Sequence, residues 1–556
     1  MRRISGLLFL VLLPISVAGQ PEIVPAEHAV YDWLADQRVA GSLPEYSHET
    51  LPVDRATVRR HLDSLASRRA TLSSSGRYWL AEYQREFFEP LDRVHSYVGD
   101  GEASWRDPNA ERTWGTFRDE DWRVSVWGEG ALVGRHADGV RTDSRVRTAT
   151  GLARSARLTF EASWRNRIGL YTSTIAGAII NGDTEVLDAD PVFRNIYYVT
   201  RDPDNIAGSY DRTTASLRIV EGPFSAEIAN QHLRYGASVE TPLLLGDNAD
   251  HLPFIRLGLA TRSVTLQSVH AALSSPSRFV LDTPDPGDRF LDGPERYLAI
   301  HRLEVQPTSW WTAAYTGMAV YGRRGPEIAY LNPIYPLKPA EHALYDRDNT
   351  LFAVETTVRP IRGVEGSATW LVDDLATATL GDSSYGNKWA VQAGLKATLP
   401  RTGATLFGEY VRIEPYTYTH RFSENGDYFN SYTHNGFGLG HPLGPNADQW
   451  LAGASVWLPF RARARFSGRY VRKGENPVDP VTGEVTTVGG DVRLGEAPAD
   501  GRKQFLSGDL FQGPGVRAAI EVEPARGVAL RFYADRQWWD DRPAETFVRF
   551  GLAVRP

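Results

Sequence analysis

A polar stretch between residues 414 and 450 holds the side chains best suited to chemistry, among them His420, His434, His441 and Glu414. A zinc site would need three such ligands at about 2.0–2.2 Å from the ion. The histidines lack the close helical spacing of a zinc motif such as H-E-x-x-H. Because polar groups inside a folded chain must find partners, the pattern favours a hydrogen-bonded network. We therefore predict no bound metal and no cofactor.

The same stretch is rich in groups that bind sugars. Aromatic rings pack against the C–H faces of a sugar, and planar amides bracket its hydroxyl groups. The candidate polysaccharide-binding residues are Tyr416, Tyr418, Tyr428, Phe429, Asn430, Tyr432 and Asn435. An aromatic girdle at a lipid–water boundary would use the same residue types. The sequence leaves both interpretations open.

Two further features of the sequence bear on metal binding and catalysis. The segment "DTPDPGDRFLDGPER" carries Asp282, Asp285, Asp288 and Asp292, which are oxygen ligands of the kind Ca²⁺ takes. Their spacing lacks the order of an EF-hand loop, so a solvated surface loop is the favoured interpretation. The chain also has no G-x-S-x-G elbow for a serine nucleophile. We therefore predict no catalytic residues and a protein that is not an enzyme.

The stretch "FRARARFSGRYVRKG" at 460–474 alternates arginines with small or aromatic residues. A period of two sends alternate side chains to opposite faces of a strand. On the lipid face of a membrane barrel each arginine would cost about 2–4 kcal/mol at the midplane. The arginines are therefore predicted to face a wet lumen, while Phe466 and Tyr470 face lipid.

The same logic places Glu355, Arg359, Glu409 and Arg412 inward. A lumen polar network follows from these assignments and from the histidines above. Its predicted members are Arg461, Arg463, Arg465, Arg469, Glu409, Arg412, His420, His434 and His441.

The period of two begins near Trp122 and continues to the C-terminus through some sixteen strand candidates, separated by clusters of Gly, Pro, Asp and Asn. No helical pattern long enough for a βαβ crossover interrupts them, so the sheet is predicted to be antiparallel. This stretch exceeds the roughly 250–300 residues at which single cores stop growing. A closed barrel of about 16–18 strands fits its length. We see no 40–50-residue repeat of the kind a β-propeller would show.

The N-terminal residues predict a different architecture. Residues 1–20 contain two arginines, an apolar run and a small-x-small site, which is the pattern of a secretory signal peptide. Residues 21–118 are predicted to form a small periplasmic bundle of three amphipathic helices with a linker. Residues 119–556 are predicted to form an outer-membrane barrel. The chain has no cysteine, and its formal net charge of −7 argues against a nucleic-acid partner.

Several sequence segments, taken in order along the chain, resemble sequences of the capsule-assembly Wzi family. They are "NQHLRYG", "LLLGDNADHLPFIRL", "EIAYLNPIYPLKPAEHALYDRDNTLFAVE", "EYVRIEPYTYTHRF" and "YTHNGFGLGHPLGPNADQW". The helical opening "HAVYDWLADQRVAGSLP" is similar to the start of family members as well. The resemblance covers nearly the whole mature chain.

The resemblance implies an outer-membrane barrel preceded by a small helical bundle. It also implies a non-catalytic protein that binds and organises capsular or exported polysaccharide at the cell surface. The implied partners are surface polysaccharide and outer-membrane lipid, and we expect a monomer. A porin for small solutes and an enzyme that modifies lipid or glycan are the alternatives.

Overall fold

The computed structural model describes residues 20–88, 94–105, 113–142, 145–184, 186–193, 199–200, 208–274, 295–375, 382–399, 402–420 and 429–555. Eighteen strands form one barrel. They are β1 (Trp122–Thr142), β2 (Arg145–Trp164), β3 (Ile168–Gly182), β4 (Ser209–Glu221), β5 (Phe224–Gln231), β6 (Leu252–Ala260), β7 (Val264–Leu273), β8 (Arg296–Thr308), β9 (Trp311–Gly322), β10 (Asn349–Ile361), β11 (Val364–Asp374), β12 (Lys388–Leu399), β13 (Ala404–Ile413), β14 (Ala447–Leu458), β15 (Ala462–Glu475), β16 (Asp509–Ala525), β17 (Val528–Gln537) and β18 (Glu545–Val554).

Each strand pairs antiparallel with the next along the chain, and β18 pairs with β1 from Val554↔Gly130 to Thr546↔Asp138. The sheet is therefore closed, with no free edge among these strands. The predicted antiparallel barrel is confirmed, at the upper end of the predicted range of strand number. Three short strands, Val94–Val98, Gly101–Trp105 and Gly115–Arg118, extend the wall beside the first residues of β1.

The two ends of the barrel differ. At one end the strands are joined by short turns, such as Gly222-Pro223 and Arg362-Gly363. At the other end the connections are long, including residues 232–251, 323–348, 414–446 and 476–508. We refer to these as the short-turn end and the long-loop end. Bacterial outer-membrane barrels have this asymmetry, with the short turns in the periplasm.

The outer face of the wall is apolar along most strands. In β15, Phe466 is 48% exposed and Tyr470 is 42% exposed on this face, as predicted. The other exposed apolar side chains of the strands include Leu132, Leu158, Leu217, Ile228, Ile255, Leu303, Val354, Trp370, Leu395, Leu406, Trp450, Val516, Phe532 and Phe550. An outward apolar band is what a barrel presents to lipid.

Among the described residues, three α-helices precede the barrel: α1 (Val30–Val39), α2 (Arg55–Ser67) and α3 (Ser74–Phe87). The Asp54 side chain caps α2 by accepting from the Thr57 amide, and Ser73 caps α3 by accepting from the Gly76 amide. The helices pack around Trp33, Leu62 and Trp79. We call residues 20–88 the N-terminal plug. No helix in the described ranges is long and apolar enough to cross a membrane.

The connection between β9 and β10, residues 323–348, lies against the outer face of the wall. Its helices α5 (Ile328–Leu331) and α6 (Leu337–Ala343) follow the short α4 (Val186–Ala189) of another connection. The His301 ring on the outer face of β8 is held between the Tyr330 and Tyr335 carbonyls, each at 3.1 Å. The segment therefore covers polar groups of the wall. Ile328 and Ile334, each 79% exposed, give the segment an apolar outer surface.

Candidate functional site

The N-terminal plug enters the lumen from the short-turn end. Its Thr50–Leu51 strand pairs with Arg234–Tyr235, which belongs to the connection between β5 and β6. We call that connection, residues 232–251, the lumen loop. The plug passes so close to β3 that a Cβ at Gly169 would lie 2.3 Å from the Glu22 nitrogen. Glycine is the residue that permits this approach.

Buried ion pairs fix the plug in place. The Arg38 guanidinium of α1 lies 2.9 Å from Glu49 of the plug and 2.7 Å from Glu365 on β11. On β8, Arg302 pairs with the carboxylate of Glu355 and donates to the Thr50 hydroxyl at 2.7 Å. Such pairs are stable in a low-dielectric interior only when all partners are present. The plug and the wall therefore depend on each other.

The lumen loop is held by hydrogen bonds between its backbone and side-chain carboxylate and amide groups that point inward from the wall. Glu355 accepts from the Ala237 amide and Glu409 accepts from the Val239 amide, both at 2.6 Å. Gln392 accepts from the Leu243 amide at 3.2 Å and donates to the Thr241 carbonyl at 2.9 Å. The inward orientation of Glu355 and Glu409 thus positions the backbone that crosses the lumen.

The lumen near the long-loop end is a packed apolar core. Leu243, Leu244 and Leu245 of the lumen loop are fully or almost fully buried in it. The wall contributes apolar side chains to the same core, including Val269, Leu298, Ile300, Met318, Leu351, Leu371 and Val411. The sequence predicted a wet lumen. This half of it has the composition of a protein interior instead.

Three arginines of β15 and Arg461 of the preceding turn lie inside the barrel with carboxylate partners. Arg463 is 2.7 Å from Glu521, and Arg469 is 2.6 Å from Asp535. Arg465 is 3.5 Å from Glu240 of the lumen loop. Arg461 is 3.2 Å from Glu523, and Glu82 of α3 is its second acidic neighbour. These arginines join the wall to both inserted segments.

Arg412 is an exception to the predicted lumen network. It lies three residues after Glu409, so the two side chains point to opposite faces of β13. Arg412 is on the outer face, 2.7 Å from Glu414, with its guanidinium 4.0 Å from the centre of the Phe505 ring. The inward assignment was wrong because two side chains on the same face of a regular strand must have residue numbers that differ by an even number, and 409 and 412 differ by three.

The tyrosines of the predicted polysaccharide-binding set hold the loops together. Tyr418 and Tyr432 stack with ring centres 5.8 Å apart, and their hydroxyls donate to the carbonyls of Leu243 and Leu244 at 2.8 Å each. Burial raises the pKa of both phenols. Tyr416 donates to the Thr487 carbonyl at 2.9 Å, and burial raises its pKa to about 12. No face of these rings is exposed to a glycan in this structure.

The remaining members of the set are distributed over the same region. Asn430 is fully buried and donates to the Arg347 carbonyl at 2.9 Å. Phe429 and Asn435 are partly exposed, and the Arg323 guanidinium lies 4.8 Å from the Phe429 ring centre. Tyr428 lies outside the described residues, as do residues 1–19 of the predicted signal peptide and the aspartates at 282–292. A sugar-binding role stays a prediction for this set.

The three histidines of the 414–446 connection do not converge. His434 accepts from the Ser274 amide at 3.1 Å, and burial lowers its pKa to about 4. His441 accepts from the Leu443 amide at 3.3 Å, and burial lowers its pKa to about 3. His420 is half-buried next to Gly495. In the described ranges, neither of the two groups of three potential metal ligands includes them.

A cavity of about 730 Å³ remains between the plug and the wall near the short-turn end. Its lining is charged, with carboxylates such as Glu27, Glu129 and Glu521 and guanidinium groups such as Arg157 and Arg531. Many of these groups are paired across the cavity, as Arg531 is with Glu129 at 3.2 Å. The polar part of the lumen is therefore this half.

At the long-loop end, the connection between β17 and β18 exposes a tryptophan. Trp538 is 38% exposed, and the Arg536 guanidinium lies 5.1 Å from its ring centre. The exposed carboxylates of Asp540 and Asp541 follow directly. An exposed ring next to planar charged groups is the combination that binds sugars. This group was not predicted from the sequence, because the 414–450 stretch is much richer in aromatic and polar residues.

Comparison with known proteins gives a match in fold. No protein-family model matches the sequence, and no curated protein does either. Among solved structures, the chain is similar to Wzi of Escherichia coli, described as an outer membrane protein involved in group 1 capsule assembly and a carbohydrate-binding β-barrel. The two share 12% identity and a TM-score of 0.60, over 96% of this chain and 99% of that chain.

Two further solved structures are weaker matches. OprD of Pseudomonas aeruginosa has 9% identity and a TM-score of 0.41, over 78% of this chain and 95% of that chain. OccAB4 of Acinetobacter baumannii has 8% identity and a TM-score of 0.43, over 78% and 98%. The expected resemblance to Wzi-type barrels is confirmed for the fold, which is that of an outer-membrane β-barrel.

Proposed function

We propose that this protein is a non-catalytic outer-membrane barrel that binds long polysaccharide chains and retains them at the cell surface. In this proposal the short-turn end and the plug lie in the periplasm, and the long-loop end faces the exterior. The observation that most supports the proposal is the packed apolar core that the lumen loop forms with the barrel wall. A barrel closed by packed leucines and tyrosines does not suit passage of solutes, but it provides a rigid support for surface loops.

The similarity in fold to a carbohydrate-binding barrel supports the proposal over nearly the full length of the chain. Rigid support also has an energetic consequence, because preorganised loops lose less entropy on binding than mobile ones. Weak contacts along one polymer then add through multivalency, so no single deep pocket is required.

We place the glycan contacts on the exposed surface of the long-loop end, with Trp538 as the stacking residue. Arg536, Asp540 and Asp541 would bracket the hydroxyl groups of a bound sugar. Tyr416, Tyr418, Asn430 and Tyr432 would act indirectly, by holding the loops that frame this surface. Trp310 provides a matched comparison, since it is 51% exposed at the opposite end of the barrel.

The proposed retention of polysaccharide can be tested by deleting the gene for this protein in its native bacterium. We expect the total amount of surface polymer to stay unchanged while the cell-bound fraction falls and the fraction in the medium rises. Expression of the full-length chain from a plasmid should restore attachment. Polymer that stays cell-bound in unchanged amount in the deletion strain would refute retention.

A further inference from the structure

Two buried histidines and a glutamate meet where the plug touches the lumen loop. His232 immediately follows β5, His251 immediately precedes β6, and Glu27 belongs to the plug. One potential ligand atom from each residue lies within 4.8 Å of the others. His232 is 8% exposed and His251 is 6% exposed, and their rings meet edge to face at 4.4 Å between centres.

On the His232 ring, hydrogen bonding leaves one nitrogen available to bind a metal ion. His232 Nε2 lies 3.1 Å from the Ala249 carbonyl, so this nitrogen must carry the proton and donate. His232 Nδ1 faces the Glu27 carboxylate, with which it is in contact. Metal-binding histidines nearly always donate their second N–H to a carbonyl or carboxylate, which orients the ring. Ala249 supplies this support here.

His251 provides an independent observation. Its Nδ1 is buried and has no hydrogen-bond partner among the described residues. A buried polar atom without a partner costs about 1–3 kcal/mol. An ion shared with His232 and Glu27 would satisfy this atom.

We propose that Glu27, His232 and His251 form a binding site for a divalent transition-metal ion of the Zn²⁺ class. Two imidazoles and one carboxylate are a donor set that Zn²⁺ takes, with solvent in the fourth position. Glu27 also lines the charged cavity, which gives the ion and the completing water a route of entry. Binding replaces the proton between His232 Nδ1 and Glu27.

The site would act as a clamp between the two segments that fill the lumen. Glu27 comes from the plug, whereas both histidines come from the ends of the lumen loop. Since the ion binds only when these parts are assembled, its binding free energy adds to the stability of the closed state. This role is separate from glycan binding and does not depend on it.

Titration of the purified full-length protein with Co²⁺, followed by displacement with Zn²⁺, tests the site. We expect one equivalent of Co²⁺ to produce visible absorption bands of a four-coordinate ion, and Zn²⁺ to abolish them. Glu27→Gln and His251→Gln should each weaken binding by at least the roughly 10–100-fold that loss of a supporting partner causes. Zn²⁺ should also raise the unfolding temperature of the wild-type protein.

His342→Gln is the matched control. His342 belongs to the second group of potential ligands, with Glu341 and Asp346, and it is exposed on the outer-wall connection. This variant should bind the ion as the wild-type protein does. Absence of stoichiometric binding to the wild-type chain, or loss of binding in His342→Gln alone, would overturn the proposal. Undiminished binding by folded Glu27→Gln and His251→Gln would overturn it as well, and if a variant fails to fold, absence of stoichiometric binding by the wild-type chain still does so.

Discussion

A planar bilayer containing the full-length protein is expected to carry no steady ionic current. The reason is the core around Leu243, Leu244 and Leu245, which fills the lumen at the long-loop end, together with the plug at the short-turn end. Ions crossing this region would have to enter a packed apolar interior, where burial of an unpaired charge is strongly unfavourable.

A barrel without the plug and with a shortened lumen loop should conduct. The variant lacks residues 20–88 and carries a short Gly-Ser linker in place of residues 236–246. We expect long-lived conductance steps, because an 18-strand wall encloses enough space for water once the inserted segments are gone. Heat-modifiable gel mobility identifies preparations that have folded. Steady conductance of the unmodified protein would contradict the closed lumen.

Replacement of Glu355 by Gln should cause the largest loss of stability among single substitutions of the lumen. Glu355 is 2% exposed, pairs with Arg302 and accepts from the Ala237 amide. Removing one partner leaves the Arg302 charge buried with weaker compensation, which typically costs about 3–5 kcal/mol of unfolding free energy. Urea titration of the vesicle-inserted protein, monitored by tryptophan fluorescence, measures the loss.

Glu45→Gln is the control for this effect. Glu45 pairs with Arg68 at 2.9 Å, but both side chains are about 40% exposed. An exposed pair contributes about 0–1 kcal/mol, so this variant should unfold close to the wild type. The double replacement Arg302→Met with Glu355→Leu should recover much of the lost stability. Equal, small effects of Glu355→Gln and Glu45→Gln would show that the buried pair does not stabilise the folded barrel.

The barrel could be predicted from the sequence because strand periodicity is a local property. The alternation in β15 is enough to place Phe466 and Tyr470 outside and Arg463, Arg465 and Arg469 inside. The same rule corrects the error at Arg412, since its position relative to Glu409 alone shows that the two cannot share a face. The short N-terminal helices were also predicted, from apolar residues at spacings of three and four, but their position inside the lumen was not.

The closed lumen could not be predicted in the same way. It depends on contacts between residues far apart in sequence, such as Tyr418 with Leu243. One local signal existed, because Leu243, Leu244 and Leu245 form an uninterrupted apolar run inside a connection. The grouping of Glu27 with His232 and His251 has no local signal, since it requires the plug and the lumen loop to be folded together.

Direct binding of the purified protein to the isolated surface polymer is the measurement closest to the central claim. The account predicts saturable binding that tightens with the length of the polymer fragment. Trp538→Ala should weaken it about tenfold, equivalent to about 1.4 kcal/mol, while Trp310→Ala should leave it unchanged. Failure of the folded wild-type protein to bind polymer fragments of any length would contradict the claim that this barrel holds polysaccharide.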